Sequence, residues 1–165
     1  MIKNIVLAGL VNEEKILLLR RANPPYKGYW GMPAGKIKLG EHVETAAQRE
    51  AREETGFETR FKGVKGIVSE TLSNNDELKG HFMLFVCELE PLNEGRRIEG
   101  RTAGASPEGE LAWFSLNDLS RQKLIPSDLL MIKKFFLEKK SDLIVHRVRM
   151  IERDNEYFIE STSLR

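Results

Sequence analysis

The sequence predicts a single domain of mixed α and β structure, of the α+β kind. The chain of 165 residues has the size of one domain with a proper core. Runs of β-forming residues bounded by polar turns recur from the first residues to the last. Between them lie two stretches, 43–55 and 127–140, that read as helices.

Ile2 to Val11 and Lys15 to Arg21 are β-leaning runs joined by the polar turn Asn12-Glu13-Glu14, which predicts a hairpin ending at Arg20 and Arg21. The next stretch, with Asn23-Pro24-Pro25 and then Gly28, Gly31, Pro33 and Gly35, reads as loop, because prolines and glycines at this density oppose helix and central strand. Val43 to Thr55 contains good helix formers and no interior glycine or proline, and Gly56 follows as a C-terminal cap. Arg60 to Glu70 and His81 to Glu90 read as strands around a polar loop, Thr71 to Gly80. Pro91 to Gly109 is irregular, Leu111 to Ser115 a short strand. Ser127 to Lys140 is a second helix capped by Ser127 or Asp128, with Lys133, Lys134, Lys139 and Lys140 left for solvent. Leu143 to Ile151 and Tyr157 to Ile159 flank Asp154-Asn155, a terminal hairpin.

Composition excludes several classes of function. Charged residues make up 31% of the chain, yet the net charge is only +1 and no acidic or basic tail occurs, so neither a nucleic-acid scaffold nor a membrane-surface protein is expected. The apolar run Ile5 to Val11 is too short to span a bilayer, which makes a cytoplasmic location the expectation. The one cysteine, Cys87, sits in an apolar run and reads as a buried hydrophobe. His42 and His81 read as structural.

The first helix is unusual. On a 3.6-residue wheel Val43, Ala46, Ala47, Glu50 and Glu54 share one side with Glu53 at its margin, whereas Glu44, Thr45, Gln48, Arg52 and Thr55 take the other. The inward face therefore begins small and apolar and ends in acids, and burying ionised groups unpaired costs several kcal/mol in order of magnitude. Glu50, Glu53 and Glu54, at i, i+3 and i+4, form a cluster of hard oxygen donors suited to a divalent cation such as Mg²⁺. Read from the helix alone, the alternative is a solvated acidic turn compensated by Arg49 and Arg52.

The spacing around these acids decides between the two. Gly35, five residues, Glu41, seven residues, then Arg49-Glu50-Ala51-Arg52-Glu53-Glu54-Thr55-Gly56-Phe57 resembles the Nudix box, G-x5-E-x7-R-E-U-x-E-E-x-G-U, with every fixed letter present. A chance match in a chain of this length is about one in a million, which removes coincidence as an explanation. The resemblance extends upstream through Arg20-Arg21-Ala22 and Trp30-Gly31-Met32-Pro33-Ala34-Gly35-Lys36. Ala51 is smaller than the usual aliphatic residue of the box, and Ala34 stands where many members have a second glycine.

The resemblance implies a Nudix-like fold, a mixed sheet sandwiched between helices with the box as loop-helix-loop. It implies Glu50 and Glu54 as principal ligands of Mg²⁺, with Mn²⁺ able to substitute, Glu53 as a further ligand or activator of water, and a backbone carbonyl at Ala34 or Gly35 as another oxygen. Arg49 would orient the carboxylates, and Glu41 would brace Arg49. Lys36, Arg20 and Arg21 flank the loop and are the candidates for phosphate contacts, with Trp30 the candidate for stacking on a base. Glu94, Glu99, Glu108 and Glu110 are candidates for a base that activates water.

The implied activity is Mg²⁺-dependent hydrolysis of a phosphoanhydride in a nucleotide-like small molecule. The segment 20–30 looks like members that act on ADP-ribose, although the proline that often marks these beyond the box is missing, Leu72, Ser73 and Asn74 standing there instead. Pro33-Ala34-Gly35-Lys36-Ile37 looks equally like members that act on oxidised nucleoside triphosphates. The rival class is a non-catalytic Nudix-fold nucleotide sensor; the intact box and the lack of a following helix-turn-helix speak against it. Residues 1–140 would form the Nudix domain and 141–165 a hairpin extension of it. That hairpin either covers an edge of its own sheet or pairs with a second subunit to make a twofold homodimer.

Overall fold

The structure, a computed structural model, describes residues 1–92, 105–106, 109–139 and 145–164. The expected first hairpin is present as β1 (Lys3–Asn12) and β2 (Lys15–Arg21), paired only near the turn, with Val11 opposite Ile16 and Asn12 opposite Lys15. Beyond that point the two strands diverge. β1 lies parallel to a later strand while β2 carries a separate group of partners, which curls the whole sheet.

The proline- and glycine-rich stretch is not all loop. It contains β3 (Trp30–Gly31), paired with β2, and β4 (Ala34–Lys36), paired with β1. Pro33, which has no N–H to contribute, lies between them and accepts the Ala8 N–H through its carbonyl at 2.7 Å. α1 (Val43–Thr55) has the expected limits, and Gly56 caps it in the left-handed region, donating to the Arg52 carbonyl. Thr55 departs from the wheel. It is buried, and its hydroxyl donates back to the Ala51 carbonyl.

β5 (Thr59–Asn74) and β6 (Glu77–Pro91) are longer than the composition suggested, so the expected polar loop 71–80 is strand with Asn75-Asp76 as its turn. Both turn residues have positive φ, the twist that a two-residue hairpin needs. The β5 residues here are held by pairing on both sides: Thr71 is opposite His81 on β6 and Arg149 on the last hairpin. β7 (Ala105–Ser106) and β8 (Gly109–Ser115) follow. α2 (Pro126–Ile132) continues into a wider π-type turn, Lys133–Leu137. Ile125, not Ser127 or Asp128, is its N-cap; both polar residues are buried within the first turn. Lys134 is buried too, contrary to the expected solvent face.

The last hairpin is β9 (Val145–Arg153) and β10 (Glu156–Thr162). β9 runs parallel to β5, Ile67 opposite Val145 through Asn74 opposite Glu152, so the hairpin completes the edge of its own sheet. The strand order among the described residues is β10-β9-β5-β6-β1-β2-β8-β7, with β3 on β2 and β4 on β1.

α2 packs on one face of this sheet against Leu7, Val68, Leu84, Val86, Val148 and Met150. α1 packs on the other, its Ala46, Ala47 and Ala51 against Val6, Ala8, Leu10 and Leu89. Gly66 and Gly9 admit Phe135 and Phe136: a Cβ at either glycine would overlap the facing ring. Cys87 is buried as expected, and burial pushes its thiol up to about 12. No helix among the described residues is long and apolar enough to cross a membrane.

Candidate active site

β4 and α1 meet at the acids. Pairing with β1 holds Ala34, Gly35 and Lys36 extended, and the chain then loops through Glu41 into α1. Arg49 organises the meeting point. Its Nε donates to Glu41 Oε1 at 2.7 Å, and its Nη2 donates to Glu41 Oε2 at 2.9 Å and to the Lys36 carbonyl at 3.0 Å. Its Nη1 reaches Glu53 at 3.2 Å and also pairs with Glu50. The bidentate bond from Arg49, with the Lys38 N–H added, holds the Glu41 carboxyl down at about 2. Arg49 is correspondingly pushed up, chiefly by Glu41. The clamp therefore stays charged on both sides through the neutral range.

Glu50 is buried against Gly35, where any Cβ would overlap its carboxylate. That glycine is required by close approach of the strand to the acid. Glu54 accepts the Ala34 N–H through Oε2 at 3.0 Å. Glu53 is the exposed member, its side chain 52% accessible. Among the described residues no three acids, histidines or cysteines converge into a ready metal cage. The donors nonetheless fit a hard divalent cation in kind, because two carboxylates abut a strand backbone stripped of a Cβ and a third stands beside them. Arg49 Nη1 bonds both Glu50 and Glu53, and the Ala34 N–H bonds Glu54.

A cleft of about 230 Å³ opens beside β4 on the α2 face of the sheet, and Ala34, Gly35 and Lys36 form its wall next to the acids. Lys3 and Arg21 join Lys36 as its cations, and Tyr26, Met32 and Phe82 supply apolar surface. Glu70 and Asp128 lie in the same lining. Glu70 Oε1 accepts the Tyr26 hydroxyl at 3.2 Å, and the Ser127 side chain also bonds this buried carboxyl. Burial pushes this carboxyl up. Asp128 Oδ2 accepts the Met32 N–H at 2.7 Å, and burial raises its carboxyl to about 7.

The expected substrate residues divide. Lys36 and Arg21 reach the cleft, Arg21 donating to the Pro25 carbonyl at 2.7 Å. Arg20 turns away, its Nε to the Gly28 carbonyl at 3.3 Å and its guanidinium 3.8 Å from exposed Glu110. Trp30 does not fit the stacking role expected of it: its indole is buried in the core edge-on to Phe114, with centroids 4.9 Å apart, and lies outside the cleft lining. Glu94, Glu99 and Glu108 lie outside the described residues.

Sequence reading missed Lys3, Tyr26, Glu70, Phe82 and Asp128. For Glu70 a signal existed. It occupies an inward position of β5 between buried Val68 and Leu72, where alternation calls for an apolar residue. Asp128 carried none, since an acid in the first turn of a helix is ordinarily read as a cap.

Residues 2–135 match the NUDIX domain family. An uncharacterized Nudix hydrolase of Bacillus subtilis, YvcI, is 30% identical over 119 residues, 72% of this chain and 70% of that protein. An ADP-ribose pyrophosphatase of Methanocaldococcus jannaschii is 32% identical over 118 residues, 71% of this chain and 64% of that protein. In fold, the chain is similar to a mutator MutT protein from Bacillus halodurans, with a TM-score of 0.68, 23% identity, and coverage of 96% of this chain and 97% of that one.

Proposed function

The chain belongs to the Nudix hydrolase family, and from that premise we propose that it hydrolyses the phosphoanhydride bond of a nucleotide or nucleoside diphosphate derivative, with Mg²⁺ held at the box carboxylates and Mn²⁺ able to substitute. One observation carries this reading: the carboxylate helix and the cleft share the wall Ala34-Gly35-Lys36. A substrate lying in the cleft thus brings its phosphates to the acids.

Lys36, Arg21 and Lys3 bind those phosphates by charge-assisted hydrogen bonds. Glu50, Glu53 and Glu54 would hold the cation, whose chemistry there would be to withdraw charge from the departing phosphate and acidify the attacking water. Glu53, the most accessible of the three, accepts the proton of that water. Arg49, locked by Glu41, keeps Glu50 and Glu53 oriented. In the same lining the buried carboxyls of Glu70 and Asp128 offer oxygens to N–H donors, which suits a purine edge, either the amino group of an ADP-ribose adenine or the N–H groups of an oxidised guanine.

The test is a product assay over ADP-ribose, NADH, nucleotide sugars and oxidised deoxynucleoside triphosphates with Mg²⁺ or Mn²⁺. Turnover of one class is expected, and Glu54→Gln should lower kcat at least about a hundredfold because it neutralises a ligand of the catalytic charge. Glutamine still accepts the Ala34 N–H, so thermal unfolding should stay near wild type. Tight nucleotide binding without turnover of any substrate would hand the chain to the sensor reading instead.

A further inference from the structure

The outer side of the last hairpin carries a second polar groove. Inward positions of β5 and β9, namely Val68, Glu70, Leu72, Val148 and Met150, are buried toward α2. Ser69, Thr71, Arg147 and Arg149 alternate with them and project from the opposite face. α1 packs on that face near Thr59, where Gln48 donates to the Thr59 carbonyl at 2.9 Å. Farther along the sheet, a groove of about 470 Å³ opens among Ser69, Thr71, His81, Arg147, Arg149 and Ser161–Ser163, with no carboxylate in its lining.

Pairing aligns its donors. His81 lies opposite Thr71, Thr71 opposite Arg149, and Arg149 opposite Ser161, a row across four strands. The rim is fixed by hydrogen bonds of its own. Ser163 Oγ accepts the Arg147 N–H at 2.9 Å, Thr162 Oγ1 donates to the Arg147 carbonyl at 3.1 Å, and Ser69 Oγ lies 3.0 Å from His81 Nε2. Arg149 is paired at its edge with Glu160 at 2.6 Å. Arg147 makes no ion pair with a described acid and is exposed.

We propose that this groove is a binding site for a phosphate group, separate from the catalytic cleft, in which the guanidiniums of Arg147 and Arg149 take the anion and the Thr71 and Ser161 hydroxyls complete its hydrogen bonds. Planar guanidinium forks match phosphate oxygens two at a time, and hydroxyls donate to whatever oxygen remains. The site lies on the face of the sheet opposite Glu70, and Arg147, Arg149 and Ser161 belong to strands beyond the family match at residue 135. Thr71, Ser69 and His81 lie within that match, so the groove joins the family domain to the last hairpin. The same chemistry is offered by inorganic phosphate and by the phosphate ester of a nucleotide.

Calorimetric titration of the full chain with inorganic phosphate, and separately with AMP, tests the assignment at low salt. Arg147→Ala with Arg149→Ala should weaken binding at least about tenfold, the loss expected for charge-assisted hydrogen bonds, while turnover and the unfolding temperature stay unchanged. Glu160→Gln should tighten it by releasing Arg149. Equal affinity for the two probes marks free phosphate as the ligand, and tighter AMP marks the ester. Wild-type phosphate affinity in the double variant, or amide shifts on titration confined to Arg21 and Lys36, overturns the site.

Discussion

At the scale of single residues, charge is set by what surrounds each acid. Glu41 and Asp128 are both carboxylates, yet one is held down by Arg49 and the other pushed up by burial. Asp128 consequently links stability to pH. Above its ordinary value of 3.8 the unfolded chain gives up this proton, whereas the folded chain keeps it to about 7, so stability falls as pH rises across that window. Glu70 is shifted the same way. Asp128→Asn keeps an acceptor for the Met32 N–H and removes the titration. Wild type should lose thermal stability between about pH 4 and 7 while the asparagine variant loses less of it, the two curves being closest at the acid end. Parallel curves would mean that Asp128 is ionised in the fold throughout.

At the scale of elements, two contacts between helix and sheet depend on missing side chains. Gly66 receives the Phe135 ring and Gly9 the Phe136 ring from the π-type turn. Phe135 is fully buried and has no room to retreat. Gly66→Val should therefore destabilise the chain by about 1–3 kcal/mol, the usual penalty of overpacking, read as a lower urea midpoint with an unchanged slope. A neutral result would show that the turn slides. The elements also explain the misread loop 71–80. Its β5 half is paired on both sides, by β6 and by β9, and its side chains alternate between the covered face, where Leu72 is buried, and the open face of Thr71.

At the scale of the whole molecule, the last hairpin is tied to the cleft. Tyr157 packs edge-on against Tyr26 with centroids 4.5 Å apart, and Tyr26 is the residue that donates to Glu70. Lys123 bonds Glu156 at 2.9 Å, and the Tyr29 hydroxyl also donates to Glu156. A chain ending at Lys139 loses these contacts and leaves β5 with an open edge from Ile67 to Asn74. It should unfold at lower temperature and associate, giving a mixed, larger mass by light scattering where the full chain gives one mass. A full-chain dimer that turns cleanly into a stable monomer on truncation would instead favour pairing of subunits through the hairpin.

The sequence alone determined whatever depends on local spacing. The limits of α1, the left-handed cap at Gly56, the first hairpin and the order Gly35, Glu41, Arg49, Glu50, Glu53, Glu54 follow from periodicity and short-range backbone preferences, which act within a few residues. Trp30 shows where that reach ends, since an aromatic in a loop serves as well for the core as for a ligand until its neighbours are known. Tertiary structure decided the rest. Lys3, Tyr26, Glu70 and Asp128 come from four separate segments, and only the pairing of β1 beside β6 and the packing of α2 on that face bring them to one cleft. The path of the last hairpin belongs there too, because a strand's partner is chosen by which edge remains open, and no window of residues records that.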